Sequence, residues 1–173
     1  STRALFGLRE NSAFDELTGV LRRAAGISAA EREIVRSRRH ASPLAVAFID
    51  IDGLKEENDA HGHPAGDAML SGLVQVLKDS LRADDVVFRY GGDEFVCVLP
   101  ETTAGSARTR LGEIQLEAAK SGVRFCSGVA QLERADDVVS LSARADRDLY
   151  DFKANRGEIV QLPTADQHRS VTA

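Results

Sequence analysis

Three features of the sequence predict an α+β fold with an antiparallel-centred sheet. Two runs of strand length, Leu44–Ile51 and Glu94–Pro100, are apolar except for one acid near an end of each, as strands buried on both faces are. The second is joined to an apolar run at 85–90 by Gly91, Gly92 and Asp93, a hairpin connection. Amphipathic stretches of helical period separate these runs.

The elements follow in order. Residues 1–13 carry Ala4, Leu5 and Leu8 at helical spacing and read as the end of a helix entering from elsewhere. The stretch 19–40 is Ala-rich, charged and helical, with Gly26 as its weak point. After the strand Leu44–Ile51 comes "GLKEENDAHGHPAGD", a polar connector with a short helix. Pro64 then suits a helix start, and Met69, Leu73, Val76, Leu77 and Leu81 form one helical stripe. The hairpin follows, then a helix at 103–120, a strand at 123–132, a last helix at 137–155 and a short strand at 158–162. The polar tail 163–173 is expected to be loose. The central order β-α-β-β-α-β is ferredoxin-like, with its helices on one face of the sheet. The fold hosts many functions, so function must come from the site.

Composition narrows the classes. At 173 residues the chain fits one domain with a sizeable core. A net charge of -5 argues against bulk nucleic-acid binding. A polyanionic substrate would then need a metal ion or a local cluster of Lys and Arg. Cys97 and Cys126 both lie in apolar runs and read as small core residues in a reducing compartment. There is no signal peptide and no membrane-spanning run, so the domain is expected to be cytoplasmic, with membrane contact only through a region upstream.

The acidic residues are the unusual feature. Asp50 and Asp52 end the first strand, and Asp93 and Glu94 sit in the hairpin. In a ferredoxin-like sheet these elements are central neighbours, so Asp50 and Asp93 are expected to meet. Facing carboxylates repel unless a cation lies between them or one is protonated. Mg²⁺ fits, because it prefers carboxylate and phosphate oxygens. Two such ions on a phosphate chain would orient an in-line displacement and stabilise the leaving oxygen. Strand ends and turns also carry acids merely for solvation. However, a turn needs only its glycines and does not call for a second acid beside an aromatic.

Four ordered blocks carry a family resemblance. "RYGGDEF" (89–95) resembles the signature of the GGDEF domain of diguanylate cyclases. "DELTGVLRR" (15–23), "IDIDGLKEENDAHGHPAGD" (49–67) and "ADRDLYDFK" (145–153) resemble the family's other blocks, in the family's order. The resemblance runs from Asp15 to about Val160, giving a GGDEF nucleotide-cyclase domain over 14–162.

The resemblance implies condensation of two GTP into cyclic di-GMP with release of two pyrophosphates. Each domain binds one GTP, so a second copy of the chain must face the first. Asp50 and Asp93, with the carbonyl of Ile51, match the metal ligands for two Mg²⁺ (or Mn²⁺). Glu94 matches the group that helps deprotonate the 3′-hydroxyl, which an ordinary Glu achieves only with metal assistance. Asn58 and Asp67 match the guanine readers, and a carboxylate can accept from both donors of guanine's edge. From spacing alone, Asp67 is equally a helix-start acid. His63 matches a substrate contact, or otherwise a solvated residue at a helix start. The amides of Gly53, Leu54 and Lys55 would cradle the β- and γ-phosphates. Lys153 matches a lysine on the triphosphate. Arg82 and Asp85, with five residues between Asp85 and Gly91, match an inhibitory R-x-x-D site for the product. The plain alternative for that pair is a helix-end Arg and a turn Asp.

The sequence departs from the family pattern in four places. Leu54 replaces a Phe, Arg22 replaces an Asn and Cys126 replaces a Ser. The family's closing arginine is shifted one residue earlier, to Arg156. The rival reading is a catalytically weak domain that acts as a receptor for GTP or cyclic di-GMP.

Overall fold

The computed structural model of the chain describes residues 12–156. The strand expected at 158–162, the tail, and the entering helix up to residue 11 lie outside the described residues. The chain enters through a turn at 15–18 and a two-residue strand, β1 (Leu21–Arg22), which the sequence did not signal. Then come α1 (Arg23–His40), β2 (Leu44–Ile51), α2 (Leu54–His61), α3 (His63–Ser80), β3 (Val86–Arg89) and β4 (Glu94–Pro100). They are followed by α4 (Ala104–Lys120), β5 (Phe125–Gln131) and α5 (Val138–Asn155). The five strands lie in the order β1-β3-β4-β2-β5. All pairings are antiparallel except β1 with β3, which is parallel.

The helices cover both faces, which extends the ferredoxin-like expectation. α3 and α4 share one face, as that pattern requires, and bury Leu73, Leu77, Leu111 and Ile114 against Ala47, Ile49, Phe95 and Cys97. α1 and α5, outside the pattern, cover the other face with Ile34, Leu141 and Leu149 against Val46, Phe48, Val96 and Val98. Side chains alternate along a strand, so only unbroken apolar runs can serve both layers. That is why β2 and β4 carry no polar residue until their ends. Cys97 and Cys126 are buried on opposite faces. Burial, and next the charge of nearby Asp85, push the Cys97 thiol up to about 12, so it stays protonated.

Local chemistry sets the helix ends. Thr103 caps α4 by accepting from the Ser106 amide at 3.2 Å. Asp137 and Ser140 form a reciprocal capping box on α5. Gly26 is no mere weak point in α1. A Cβ there would fall 2.0 Å from Cγ of Phe88, which is fully buried beneath it. Gly128 does the same for α5: its Cβ would lie 2.2 Å from the backbone of Ala145 and of Leu149. The last helix therefore lies directly on bare strand backbone. No helix among the described residues is long and apolar enough to cross a membrane.

Candidate active site

The site begins as a row across three strands. Asp50 in β2 lies directly opposite Glu94 of β4 on one side and Cys126 of β5 on the other. All three share the parity of Val46 and Phe48, so their side chains point to the α1/α5 face. Two acids directly opposed across strands repel. Here they stand at the strand ends, where the apolar layer stops.

Helix α5 supplies the counter-charge. Ala145, Leu149 and Lys153 recur every four residues along one helix face, and the first two are buried on the sheet. Lys153 follows one turn later, and its Nζ lies 2.5 Å from Asp50 Oδ2. Burial pushes the Asp50 carboxyl up; the Lys153 hydrogen bond and charge work against this, and the charges of Asp93 and Asp52 add to it. Burial is the largest single influence on Lys153 and would lower it, but the hydrogen bond and charge of Asp50, with the other negative groups nearby, together hold the ammonium above its ordinary value. Glu94 is also pushed up, first by burial, then by Asp93, Asp50 and Asp146; the charge of Arg23 opposes this. The site thus gathers more negative charge than Lys153 and Arg23 offset.

The hairpin is held from outside. The backbone carbonyl of Asp93 accepts from the Ile51 amide at 3.3 Å, so the loop docks on the end of β2. Arg89 donates to the carbonyls of Gly91 and Gly92 and makes two 3.1 Å contacts to the Asp15 carboxylate. Asp15 also accepts from the Thr18 amide at 3.0 Å and the Thr18 hydroxyl at 2.7 Å. The turn at the chain's entry and the hairpin are therefore tied by one ion pair. Neither Gly91 nor Gly92 has a positive φ, so the glycines do not serve an inverted turn. Gly91 instead makes room: a Cβ there would lie 2.7 Å from Glu94 Oε2. At the other side Arg23 stacks 4.0 Å from the Tyr90 ring centroid and donates to its hydroxyl at 3.0 Å.

The residues expected to hold the nucleotide fall mainly on α2 and α3, which follow the end of β2. Gly53 has φ 76 and starts α2 with no side-chain cap, so the first amides of that helix have no side-chain partner. Lys55 is exposed there, and Leu54 is half-buried against the α3/α4 core. Asn58 is half-buried in α2, while His63 and Asp67 are exposed in α3. Cys126 is buried and approaches Asp52 Oδ2 at 3.6 Å. Arg22 fastens the entry turn by donating to the Phe14 carbonyl at 3.0 Å. Arg156 is exposed at the end of α5, with its guanidinium 5.3 Å from the Phe152 ring centroid.

The R-x-x-D pair divides into two roles. Arg82 is exposed, whereas the Asp85 side chain is 1% exposed. Asp85 accepts from the Arg82 amide at 2.7 Å and from Arg110 of α4 at 2.5 Å. Sequence reasoning missed Arg110, which lies 25 residues on and belongs to no motif. It missed the partnership of Asp15 with Arg89 because the two motifs that carry them lie 74 residues apart and nothing local pairs them.

Among the described residues no three His, Cys, Asp or Glu side chains converge as a ready metal cluster. The expected set is two carboxylates and a backbone carbonyl. An oxygen-only set with excess negative charge suits Mg²⁺, which keeps water and phosphate oxygens as its remaining ligands.

Comparison with known proteins shows the family and the fold. Residues 12–158 match the family model for the diguanylate cyclase GGDEF domain. The chain is 36% identical over 164 residues to the diguanylate cyclase DosC of Escherichia coli K12, a match covering 89% of this chain and 36% of DosC. It thus spans about a third of that relative. The crystal structure of the GGDEF domain of DgcB from Caulobacter crescentus in complex with c-di-GMP is similar at a TM-score of 0.78. The identity is 27%, covering 83% of this chain and 89% of that one. The active GGEEF domain of a diguanylate cyclase from Vibrio cholerae is similar at a TM-score of 0.73 and 29% identity, covering 78% and 91%. With the family model matched across the described fold and the paired acids at the ends of β2 and β4, this chain belongs to the diguanylate cyclase GGDEF domain family.

Proposed function

We propose that the chain condenses two GTP into cyclic di-GMP and two pyrophosphates, with two copies facing each other. The observation that carries this reading is the direct opposition of Asp50 and Glu94 in the sheet centre, with Lys153 as counter-ion. A protein gains nothing structurally from opposed acids at that place, whereas a nucleotidyl-transfer site needs them.

Asp50, Asp93 and the Ile51 carbonyl would hold Mg²⁺ (or Mn²⁺), two ions per site, which when bound neutralises phosphate charge and acidifies the attacking hydroxyl. The amides of Gly53, Leu54 and Lys55 bind the β- and γ-phosphates at the uncapped start of α2. Lys153 leaves Asp50 for the triphosphate, or bridges the two. Asn58 and Asp67 read guanine, and His63 flanks it. Glu94, raised by burial and by its acidic neighbours, accepts the 3′-hydroxyl proton of the GTP held by the facing copy. Its environment brings it nearer to the range of a useful base. Arg156, whose guanidinium lies over Phe152 at the end of α5, would contact phosphate by leaving that ring. Arg82 binds the product cyclic di-GMP by stacking and phosphate contact. Asp85, clamped by Arg110, holds the turn that presents Arg82.

The test is direct. The chain, fused to a dimerising segment, is given GTP and Mg²⁺, and pyrophosphate and cyclic di-GMP are measured. Product is expected from the fusion, and Glu94→Gln is expected to lose it. A fusion that yields no product, with Glu94→Gln indistinguishable from it, sinks the enzymatic reading. Stabilisation of that inactive fusion by GTP or cyclic di-GMP in a thermal-shift assay would then favour a receptor.

A further inference from the structure

The carboxamide of Asn58 occupies space that only a glycine leaves. A Cβ on Gly66 would lie 2.0 Å from Asn58 Oδ1, 2.7 Å from its Cγ and 2.9 Å from its Nδ2. The whole amide group therefore sits on the bare Cα of Gly66, across the contact between α2 and α3. Gly66 is buried and helical, without a positive φ, so no backbone conformation requires glycine there. Within a helix glycine is less favourable than alanine. The missing side chain is therefore the reason for the residue.

The seat also orients the amide. Asn58 Oδ1 is buried and accepts no hydrogen bond among the described residues. The Gly66 Cα–H that stands in the Cβ direction points at it, a weak but favourable contact. The reversed amide would bury two N–H donors against the same C–H and satisfy neither. Nδ2 is the other end of the amide, and it makes no hydrogen bond among the described residues. The backbone is held as well, because the Asn58 carbonyl accepts from the Gly62 amide at 2.8 Å in the turn between the helices.

We propose that Gly66 is a specificity-determining residue, positioning Asn58 so that its amide presents Nδ2 as a fixed donor to the base. The proposal rests on the reading of this site as a guanine nucleotide site. It adds that the donor from Asn58 depends on an empty volume in the next helix. Adenine and guanine differ in the donors and acceptors they present, so a fixed donor discriminates between them.

The experiment compares the whole chain with Gly66→Ala, Asn58→Ala and the double variant. Affinities for GTP, ATP and tripolyphosphate, each with Mg²⁺, are measured by calorimetry. The clash in Gly66→Ala is with the end of a side chain, so the helix keeps its shape and Asn58 is displaced. Gly66→Ala is expected to weaken GTP roughly tenfold or more, the scale of one lost hydrogen bond at a buried site. It should leave tripolyphosphate unchanged and lower the GTP/ATP preference. The double variant should bind GTP no worse than Asn58→Ala alone, because both changes remove the same donor. Side-chain amide resonances of Asn58 should shift in Gly66→Ala without nucleotide, which tests the seat by itself.

The outcomes separate the two readings. If the wild-type chain binds tripolyphosphate but prefers no base, the guanine reading fails. If it prefers GTP and Gly66→Ala keeps that preference, or if the two single losses add, the role given to Gly66 fails while the guanine reading stands. If GTP and tripolyphosphate weaken equally in Gly66→Ala, the glycine is structural only and the proposal is overturned.

Discussion

Asp15→Ala tests whether the entry turn holds the catalytic hairpin. The carboxylate accepts from the Thr18 amide at 3.0 Å and hydroxyl at 2.7 Å, and from Arg89 at 3.1 Å on each oxygen. The two Thr18 bonds contribute about 1 kcal/mol each, and a charged hydrogen-bonded contact about 1.5–3. The Asp15 and Arg89 side chains are 18% and 20% exposed, so the pair is neither a screened surface pair nor fully desolvated. Arg89 keeps its bonds to Gly91 and Gly92, which softens the loss. The net expectation is about 3 kcal/mol of lost stability, or roughly 6–12 °C in Tm for a chain of this size. Urea unfolding measures it directly. Asp15→Asn, which keeps an oxygen for Thr18 but loses the charge, should lose about half as much. Cyclase activity of a dimeric fusion, measured where the variant is folded, should fall roughly tenfold or more, because the hairpin carrying Asp93 and Glu94 loses its anchor. An Asp15→Ala protein within 1 kcal/mol of wild type and equally active would refute the coupling.

Other outcomes follow from the same contacts. Gly128→Ala would put a Cβ 2.2 Å from the backbone of Ala145 and Leu149, so α5 must move off the sheet. A loss of about 2–3 kcal/mol is expected, together with weaker tripolyphosphate binding as Lys153 withdraws from Asp50; an unchanged melting temperature would contradict the close packing. For Asp15, burial alone would raise the carboxyl, but Thr18 and Arg89 hold it below its ordinary 3.8. For Asp136, burial is likewise outweighed, chiefly by Arg144. Acids depressed in the folded state contribute stability that is full above their ordinary value and is lost as pH falls through the folded value. The urea midpoint should therefore drop as pH is taken below 3.8, and less steeply in Asp15→Asn; parallel profiles would remove Asp15 from the account.

Much of the site was legible because the relevant chemistry is local. Asp50 and Glu94 interrupt apolar runs at strand ends, and a strand's alternation alone puts them on one face once the two strands pair. Lys153 was legible only through the family pattern, since its reach to Asp50 spans 103 residues and depends on α5 lying on Gly128. The glycine pair in the hairpin was legible as a turn, but its reason was not. A positive φ is a property of one residue, whereas the space Gly91 leaves for Glu94 is a property of a side chain three residues away.

The sequence by itself determined the elements from Leu44 to Asn155, their order, and the acids that mark the site. Those follow from periodicity, strand-length apolar runs and capping chemistry, each written within a few neighbouring residues. Only the tertiary structure decided who partners whom. Arg110 occupies Asp85, Asp15 anchors Arg89, and Gly66 seats Asn58. It also decided that helices cover both faces of the sheet rather than one. The physical reason is common to all of these. A buried charge, an ion pair or an empty volume takes its meaning from groups distant in the chain, and packing alone brings them within hydrogen-bonding or van der Waals reach.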